Sequence, residues 1–175
     1  MTVSVDVGDR FLLEMLFVRS AWDLAADLPE VDPAPAQGSS RLPAQASAEA
    51  WSERWREAWH RDWDVLRNEP RGVRAPSWRA QFGADGLDEA ALERWITDRT
   101  PVSLPPLDEE PERQVVPALR KAWEAGLESV VVLPLRGDWS WTASPRCLVV
   151  SDATRGDNGL YAAALGRFAR GRIAE

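Results

Sequence analysis

The sequence has very few residues of several types that usually carry chemistry. Its 175 residues include one cysteine, Cys147, one histidine, His60, and one lysine, Lys121. A single cysteine cannot close an intramolecular disulfide, and one cysteine with one histidine cannot supply the ligands of a zinc site. The sequence therefore predicts no metal site and no other cofactor. Any triad mechanism would need His60 as its base.

Short motifs of known chemistries are also missing. The chain has no P-loop, dinucleotide-binding fingerprint, nucleophile elbow, kinase signature or EF-hand. His60 falls on the polar face of its predicted helix, where an exposed surface histidine is expected. Cys147 begins an apolar strand, where a buried, unreactive thiol is the ordinary outcome. These absences weaken the hypothesis of an enzyme without excluding it.

Positive charge is in the minority and consists almost entirely of arginine. The chain has 28 acidic and 21 basic residues, a net charge of −7. Nucleic-acid binding usually needs a basic face, so no nucleic-acid partner is expected. Arginine in place of lysine, with little isoleucine or asparagine, is typical of a GC-rich bacterial genome. The coding bias of such a genome explains part of the arginine and tryptophan excess.

The first apolar run, residues 11–18, does not have the features of a membrane or export segment. Asp6 and Asp9 precede it, whereas a signal peptide begins with positive charge. Glu14 interrupts the run, which is also too short to span a bilayer. We therefore expect a cytoplasmic protein that does not associate with membranes.

Hydrophobic periodicity predicts an α+β fold with about five helices packed around a small antiparallel sheet. Valines alternate over residues 2–7, which is typical of a short strand. Apolar, β-branched runs at 129–135 and 147–150 predict an antiparallel hairpin over 129–151 with a long loop. Helices are expected over residues 9–28, 47–68, 85–98, 111–126 and 157–171.

Proline-rich segments separate these elements. Residues 29–46 read as a Pro/Ala-rich linker or loop, and residues 99–111 as a second Pro-rich connector. No internal repeat is present. We expect residues 1–175 to form a single domain with these two irregular segments.

Tryptophan is the residue type in clearest excess, with ten copies. Four of them, Trp51, Trp55, Trp59 and Trp63, recur at every fourth position of "WSERWREAWHRDW". This spacing drifts by about 40° per step, so the indoles cover about 120° of one helix face. The face can be core, a docking surface for a partner or a second copy, or a stacking platform for a flat ligand. Core packing is the ordinary use.

Two acidic residues fall on apolar helix faces. Glu14 lies within the apolar arc of the first helix, and Asp62 lies between Trp51 and Trp55 on the helical wheel. A buried carboxylate is unfavourable unless it is paired. The structural explanation is that an arginine, an indole N–H or a helix N-terminus satisfies each acid. The functional alternative is a pair of perturbed acids in an interhelical cleft, acting as general acid or base.

The stretch "RGDWSWTASPR", residues 136–146, has the composition of a binding loop. Loops on a rigid scaffold often carry function, whereas packing of the indoles over the sheet is the structural alternative. The candidate ligand- or partner-binding residues are Arg136, Asp138, Trp139, Trp141 and Arg146.

The pattern as a whole favours a noncatalytic protein of the accessory or adaptor type. Its partner would be another protein or a second copy of the chain, as in a homodimer. The alternative is an enzyme or small-molecule-binding protein with a cleft lined by tryptophan and arginine. In that alternative Glu14 or Asp62 would be the perturbed carboxylate.

Overall fold

The computed structural model describes residues 2–24, 27–44, 47–68, 78–99, 106 and 109–173. The chain forms two compact units. The sheet unit consists of residues 1–7 and 101–175, and the helical unit of residues 8–100. The α+β class is confirmed. The expectation of one domain stays a prediction, because compact units can belong to a single domain.

The sheet unit contains a four-stranded mixed sheet. Its strands are β1 (Ser4–Val7), β2 (Ser129–Leu133), β3 (Ser140–Ser144) and β4 (Cys147–Ser151). They lie in the order β1-β2-β4-β3. Strand β2 is parallel to both β1 and β4, and β3 is antiparallel to β4. The strand expected near the N-terminus is therefore present.

The predicted antiparallel hairpin over 129–151 is wrong in its pairing. Strand β2 pairs with β4 in parallel, and the true hairpin is β3 with β4. The segment interpreted as one long loop contains β3 and the tight turn at Pro145 and Arg146. The chain therefore reverses direction twice between β2 and β4. Two reversals leave these strands parallel, whereas one long loop would have left them antiparallel.

The helices of the sheet unit are α5 (Pro111–Gln114), α6 (Val116–Glu124), α7 (Asp152–Gly156) and α8 (Asn158–Ile173). Side chains of α6 and α8 share one core with a face of the sheet. The sheet contributes Val130, Val132, Leu148 and Val150, and the helices contribute Leu119, Ala122, Tyr161, Ala164, Leu165 and Phe168. On the other face Val131, Leu133 and Val149 are also buried. Burial on both faces explains why β2 and β4 are continuous apolar runs.

The helical unit contains α1 (Arg10–Ala21), α2 (Ala48–Asn68), α3 (Trp78–Phe82) and α4 (Glu89–Arg99). The Asp9 carboxylate caps α1 by accepting from the amides of Phe11 and Leu12, at 2.9 and 3.1 Å. The predicted end of α1 at residue 28 is wrong. Asp23 adopts a positive φ of 50°, and the Leu24 amide donates to the Arg19 carbonyl at 2.9 Å. This C-terminal capping motif ends the helix at Ala21, about two turns before the predicted end.

The described residues contain two short helices, α3 and α7, that were not predicted. Each has five residues. Such segments are too short to show a hydrophobic periodicity. The helix predicted over 111–126 is divided at Val115 into α5 and α6, and the other four predicted helices correspond to α1, α2, α4 and α8. Within the described chain, no helix combines the length and apolar composition needed to cross a bilayer.

The tryptophan stripe on α2 forms much of the core of the helical unit. Trp55, Trp59 and Trp63 are buried, whereas Trp51 is half-buried. The Trp55 indole donates to the Met15 carbonyl of α1 at 2.7 Å and stacks on Trp59 with ring centroids 5.1 Å apart. His60 is exposed on the opposite face, as expected. Core packing is therefore the use that the structure shows for this stripe.

The segment predicted as a linker or loop at 29–46 is described over residues 29–44, which contact other parts of the helical unit. Arg19 donates to the Leu28 and Pro29 carbonyls at 2.7 and 2.8 Å. The Asp88 carboxylate, at the start of α4, accepts from the amides of Ser39 and Ala91. These bonds hold the pKa of Asp88 below its ordinary value. Most of the connector predicted at 99–111 lies outside the described residues.

Substitution of Trp55 by alanine tests whether α2 is held by its indoles. Trp55 is only 1% exposed. Its removal leaves a cavity against α1, and we expect a loss of about 3–5 kcal/mol in the free energy of unfolding. Urea denaturation followed by circular dichroism measures this loss. Glu53→Ala, an exposed position on the same helix, is the control and should change stability by less than about 0.5 kcal/mol. Equal losses in both variants would contradict this account.

Candidate functional site

The loop between β2 and β3, residues 134–139, crosses the carboxyl end of β4. It has to do so because β4 lies between the two strands that the loop connects. Pro134 and Leu135 are buried at its start, while Arg136, Gly137 and Asp138 are exposed. Gly137 has a φ of +77°, which only glycine adopts without strain. We call residues 136–141 the crossing surface.

Two buried hydroxyl groups hold this loop. The Ser151 hydroxyl, at the end of β4, donates to the Gly137 carbonyl at 2.6 Å, and the Ser151 amide donates to the Trp139 carbonyl at 3.0 Å. The Thr154 hydroxyl accepts from the Trp139 amide at 2.9 Å and donates to the Asp138 carboxylate at 3.1 Å. Both residues are 0% exposed. Their hydroxyls therefore satisfy backbone groups that the strand ladder leaves unpaired.

The same two residues begin helix α7. The Ser151 hydroxyl accepts from the Thr154 amide at 3.1 Å, which is an N-cap interaction. The following helix α8 is capped by Asp157, whose carboxylate accepts from the amides of Gly159 and Leu160. The end of β4, the crossing loop and α7 thus form one hydrogen-bonded corner.

Side chains of three helices form a charged cluster beside this corner in the sequence, because Arg155 directly follows Thr154. Arg155 of α7 makes two hydrogen bonds to the Glu112 carboxylate of α5, at 2.9 and 2.8 Å. The Tyr161 hydroxyl of α8 donates to the same carboxylate at 3.1 Å. A bidentate pair with a tyrosine fixes the positions of α5, α7 and α8 relative to one another.

The ionisation of this group suits a structural role. Burial alone would raise the pKa of Glu112, but hydrogen bonds, chiefly from Arg155, outweigh it and hold the pKa below its ordinary value. Burial and the adjacent Glu112 charge raise the pKa of Tyr161 above its ordinary value. A stabilised carboxylate is a poor proton donor, and a neutral tyrosine is a poor base. Neither shift prepares the group for proton transfer at neutral pH.

The structure brings four of the five predicted binding residues together. Arg136 and Asp138 are exposed on the crossing loop, Trp139 is half-buried at its end, and Trp141 is half-buried in β3. Arg146 lies in the turn at the other end of β3, where it pairs with Glu128 at 3.3 Å. Five strand residues span roughly 17 Å. Arg146 is therefore separate from the crossing surface.

The two acids predicted on apolar faces have different outcomes. Glu14 is 2% exposed, pairs with the Arg79 guanidinium at 3.3 Å, and accepts from the Arg79 amide in the first turn of α3 at 3.2 Å. This is the structural explanation offered for it, by an arginine and a helix N-terminus. Asp62 lies on α2, but its side chain is outside the described part of the molecule.

Sequence reasoning missed the residues that hold the site. Ser151 and Thr154 follow an apolar strand with the spacing of a helix cap, and this pattern could have identified them. Glu112 and Arg155 are 43 residues apart and carry no local signal. Within the described residues, no three histidine, cysteine, aspartate or glutamate side chains are grouped to bind a metal.

Glu112→Gln tests the charged group by its pH dependence. The neutral amide leaves Arg155 without its counter-ion, and we expect a loss of about 2 kcal/mol in unfolding free energy at pH 7. Because the folded pKa of Glu112 is depressed, its contribution is complete above the ordinary value of 4.5 and is lost as pH falls through the folded pKa. Urea denaturation at several pH values should show the difference from wild type shrinking below that value. Glu124→Gln, an exposed position on α6, is the control. A pH-independent difference would contradict the assignment.

Thr154→Val tests whether the Thr154 hydroxyl fixes the crossing loop. Valine has nearly the same shape but lacks the hydroxyl that bonds Asp138 and Trp139. We expect a loss of about 1–3 kcal/mol in stability and faster hydrogen exchange of the Trp139 amide. Exchange measured by NMR provides the readout, with Thr142→Val, on the exposed side of β3, as the matched control. Unchanged exchange at Trp139 would show that Thr154 does not hold the loop.

Comparison with known proteins gives no relative to draw on. No family model, no curated protein and no solved structure matches this chain. Its function is therefore inferred from its own residues and their contacts.

Proposed function

We propose that the protein is a noncatalytic interaction module that binds another protein through the crossing surface, residues 136–141. The observation that carries the proposal is the loop's construction. Its backbone is fixed by Ser151 and Thr154, while Arg136 and Asp138 are exposed residues of the same loop. This is an exposed, chemically varied surface on a rigid support, the arrangement in which binding loops are commonly found.

Fixing the loop in advance favours binding. A flexible loop loses conformational entropy when a partner orders it, whereas a loop already held loses little. The half-buried indoles of Trp139 and Trp141 leave apolar area between charged groups. Tryptophan and arginine are the residue types most enriched among residues that dominate interface energetics. The crossing surface thus combines rigidity with suitable side chains.

The alternative of an enzyme or small-molecule-binding protein has less support. Glu14, its described candidate acid, is paired with Arg79, and Glu112 is held by Arg155 and Tyr161. Within the described residues, neither carboxylate is left available for proton transfer. The net charge of −7 further supports a partner that is not a nucleic acid. The single cysteine and the excess of arginine over lysine support a cytoplasmic bacterial protein.

Photocrosslinking at the crossing surface tests the proposal. A benzophenone amino acid replaces Trp139, and in a matched control it replaces Trp123, an indole that is 41% exposed on α6. Extract from the native cells is irradiated with either protein. We expect a crosslinked product from position 139 only. Excess wild-type protein should compete it away, whereas excess Arg136→Ala/Asp138→Ala should compete at least about tenfold less well.

Light scattering across a dilution series distinguishes a second copy from another protein as the partner. A dimer that dissociates in the Trp139→Ala/Trp141→Ala variant would identify self-association at this surface. Equal products from both crosslinking positions, or equal competition by the variant, would overturn the proposal.

A further inference from the structure

The outer edge of β3 has backbone groups that no strand pairs. The Ser151 amide donates to the Trp139 carbonyl, and β3 then pairs Ser140 with Val150 and Thr142 with Leu148. In an antiparallel ladder this bond makes the Ser140 and Thr142 positions the non-hydrogen-bonded pairs. Their N–H and C=O groups therefore point away from β4. Among the described residues, none of these four groups has a hydrogen-bond partner.

A groove runs beside this edge. It has a volume of about 400 Å³ and lies between β3 and α8, with Thr142, Ser144, Arg167 and Phe168 among its lining residues. Thr142 and Arg167 are exposed. A volume of this size accommodates one or two side chains. A strand added to the edge could place alternate side chains there, because every second residue of a strand faces the same side.

Charge at the edge distinguishes between possible occupants. Arg136 and Arg146 lie at the two ends of β3, and Arg167 of α8 donates to the Ser140 hydroxyl at 2.8 Å. Asp138 and Glu128 are the acids that accompany these arginines among the described residues, and Glu128 pairs with Arg146 at 3.3 Å. Three arginines against two acids make positive charge the majority in this set, on a chain of net charge −7. Pairing with β3 of a second copy would bring like charges together. An acidic segment would instead meet opposite charges.

We propose that the β3 edge binds an extended, acidic segment of a partner protein as an added fifth strand. Main-chain hydrogen bonds to Ser140 and Thr142 provide affinity, and Arg167 with the groove selects the side chains. This inference rests on the proposed function and specifies its binding mode and partner chemistry. The irregular register between Thr142 and Ser144 limits the pairing to a short stretch, because a bulge interrupts a ladder.

A synthetic peptide titration of the full chain provides the test. The probe is a seven-residue peptide in which aspartate and glutamate alternate with valine. We expect saturable binding in NMR spectra, with the largest shifts at the Ser140 and Thr142 amides. A matched peptide with lysine at the acidic positions should bind at least about tenfold more weakly. A third peptide, methylated on alternate backbone nitrogens so that it cannot pair as a strand, should lose binding.

Two variants at one position separate the backbone from the side chain. Thr142→Pro removes an N–H that points to solvent, so it leaves the ladder with β4 intact while deleting a donor to the partner. Thr142→Val keeps that donor. We expect loss of peptide binding in the proline variant and retention in the valine variant. The methylated peptide gives the same information on the wild-type chain should the proline variant fail to fold.

The outcomes separate this inference from the proposed function. Absence of saturable binding up to about 1 mM peptide, or equal binding of the methylated peptide, overturns strand addition. Equal binding of the lysine peptide overturns the acidic partner. If a specific, competed crosslink at position 139 survives either result, the protein-binding function stands and only its mode is wrong. Absence of both the peptide binding and the competed crosslink overturns this inference and the proposed function together.

Discussion

The placement of β4 between β2 and β3 is the constraint on which the sheet unit depends. This order forces the β2–β3 connection across the end of β4, where the ladder can no longer pair its backbone groups. Unpaired buried backbone groups are unfavourable by an amount comparable to a lost hydrogen bond. The Ser151 and Thr154 hydroxyls supply the missing partners and also begin α7. One requirement of topology thus fixes a loop, a strand end and a helix start.

The buried charges follow a related rule in each unit. Glu112 is held by Arg155 and Tyr161 in the sheet unit, and Glu14 is held by Arg79 in the helical unit. In both cases an arginine offsets the unfavourable burial of a carboxylate. These arginines serve the structure. The arginines near β3 are instead exposed, so a partner bound at this edge would contact them.

Strand β3 therefore has three features that bear on binding. It continues from the fixed crossing loop, it carries the half-buried Trp141, and its outer edge directs the Ser140 and Thr142 backbone groups to solvent. Proteins usually protect such edges by making them short, charged or bulged. Strand β3 is short and irregular in register, and charged residues lie beyond both of its ends. These properties disfavour pairing with a second copy of the chain. The same charges favour a partner of opposite sign.

The sequence by itself determined much of the local structure. Alternating valines gave β1, four-residue spacing placed the tryptophans on one face of α2, and the apolar runs located β2 and β4. These patterns depend on neighbours within a few residues, which is why they can be read from the chain. Pairing direction could not be read, because apolar strands buried on both faces have the same composition in parallel and antiparallel sheets.

Only the tertiary structure decided the site. Ser151 and Thr154 act on a loop that lies 12 or more residues earlier in the chain, and Arg155 meets Glu112 across 43 residues. Arg146 is close to Trp141 in sequence but lies at the opposite end of the strand. Such contacts arise from the order of strands in the sheet. No local pattern records that order, since it depends on which distant segments minimise unpaired polar groups and exposed apolar area together.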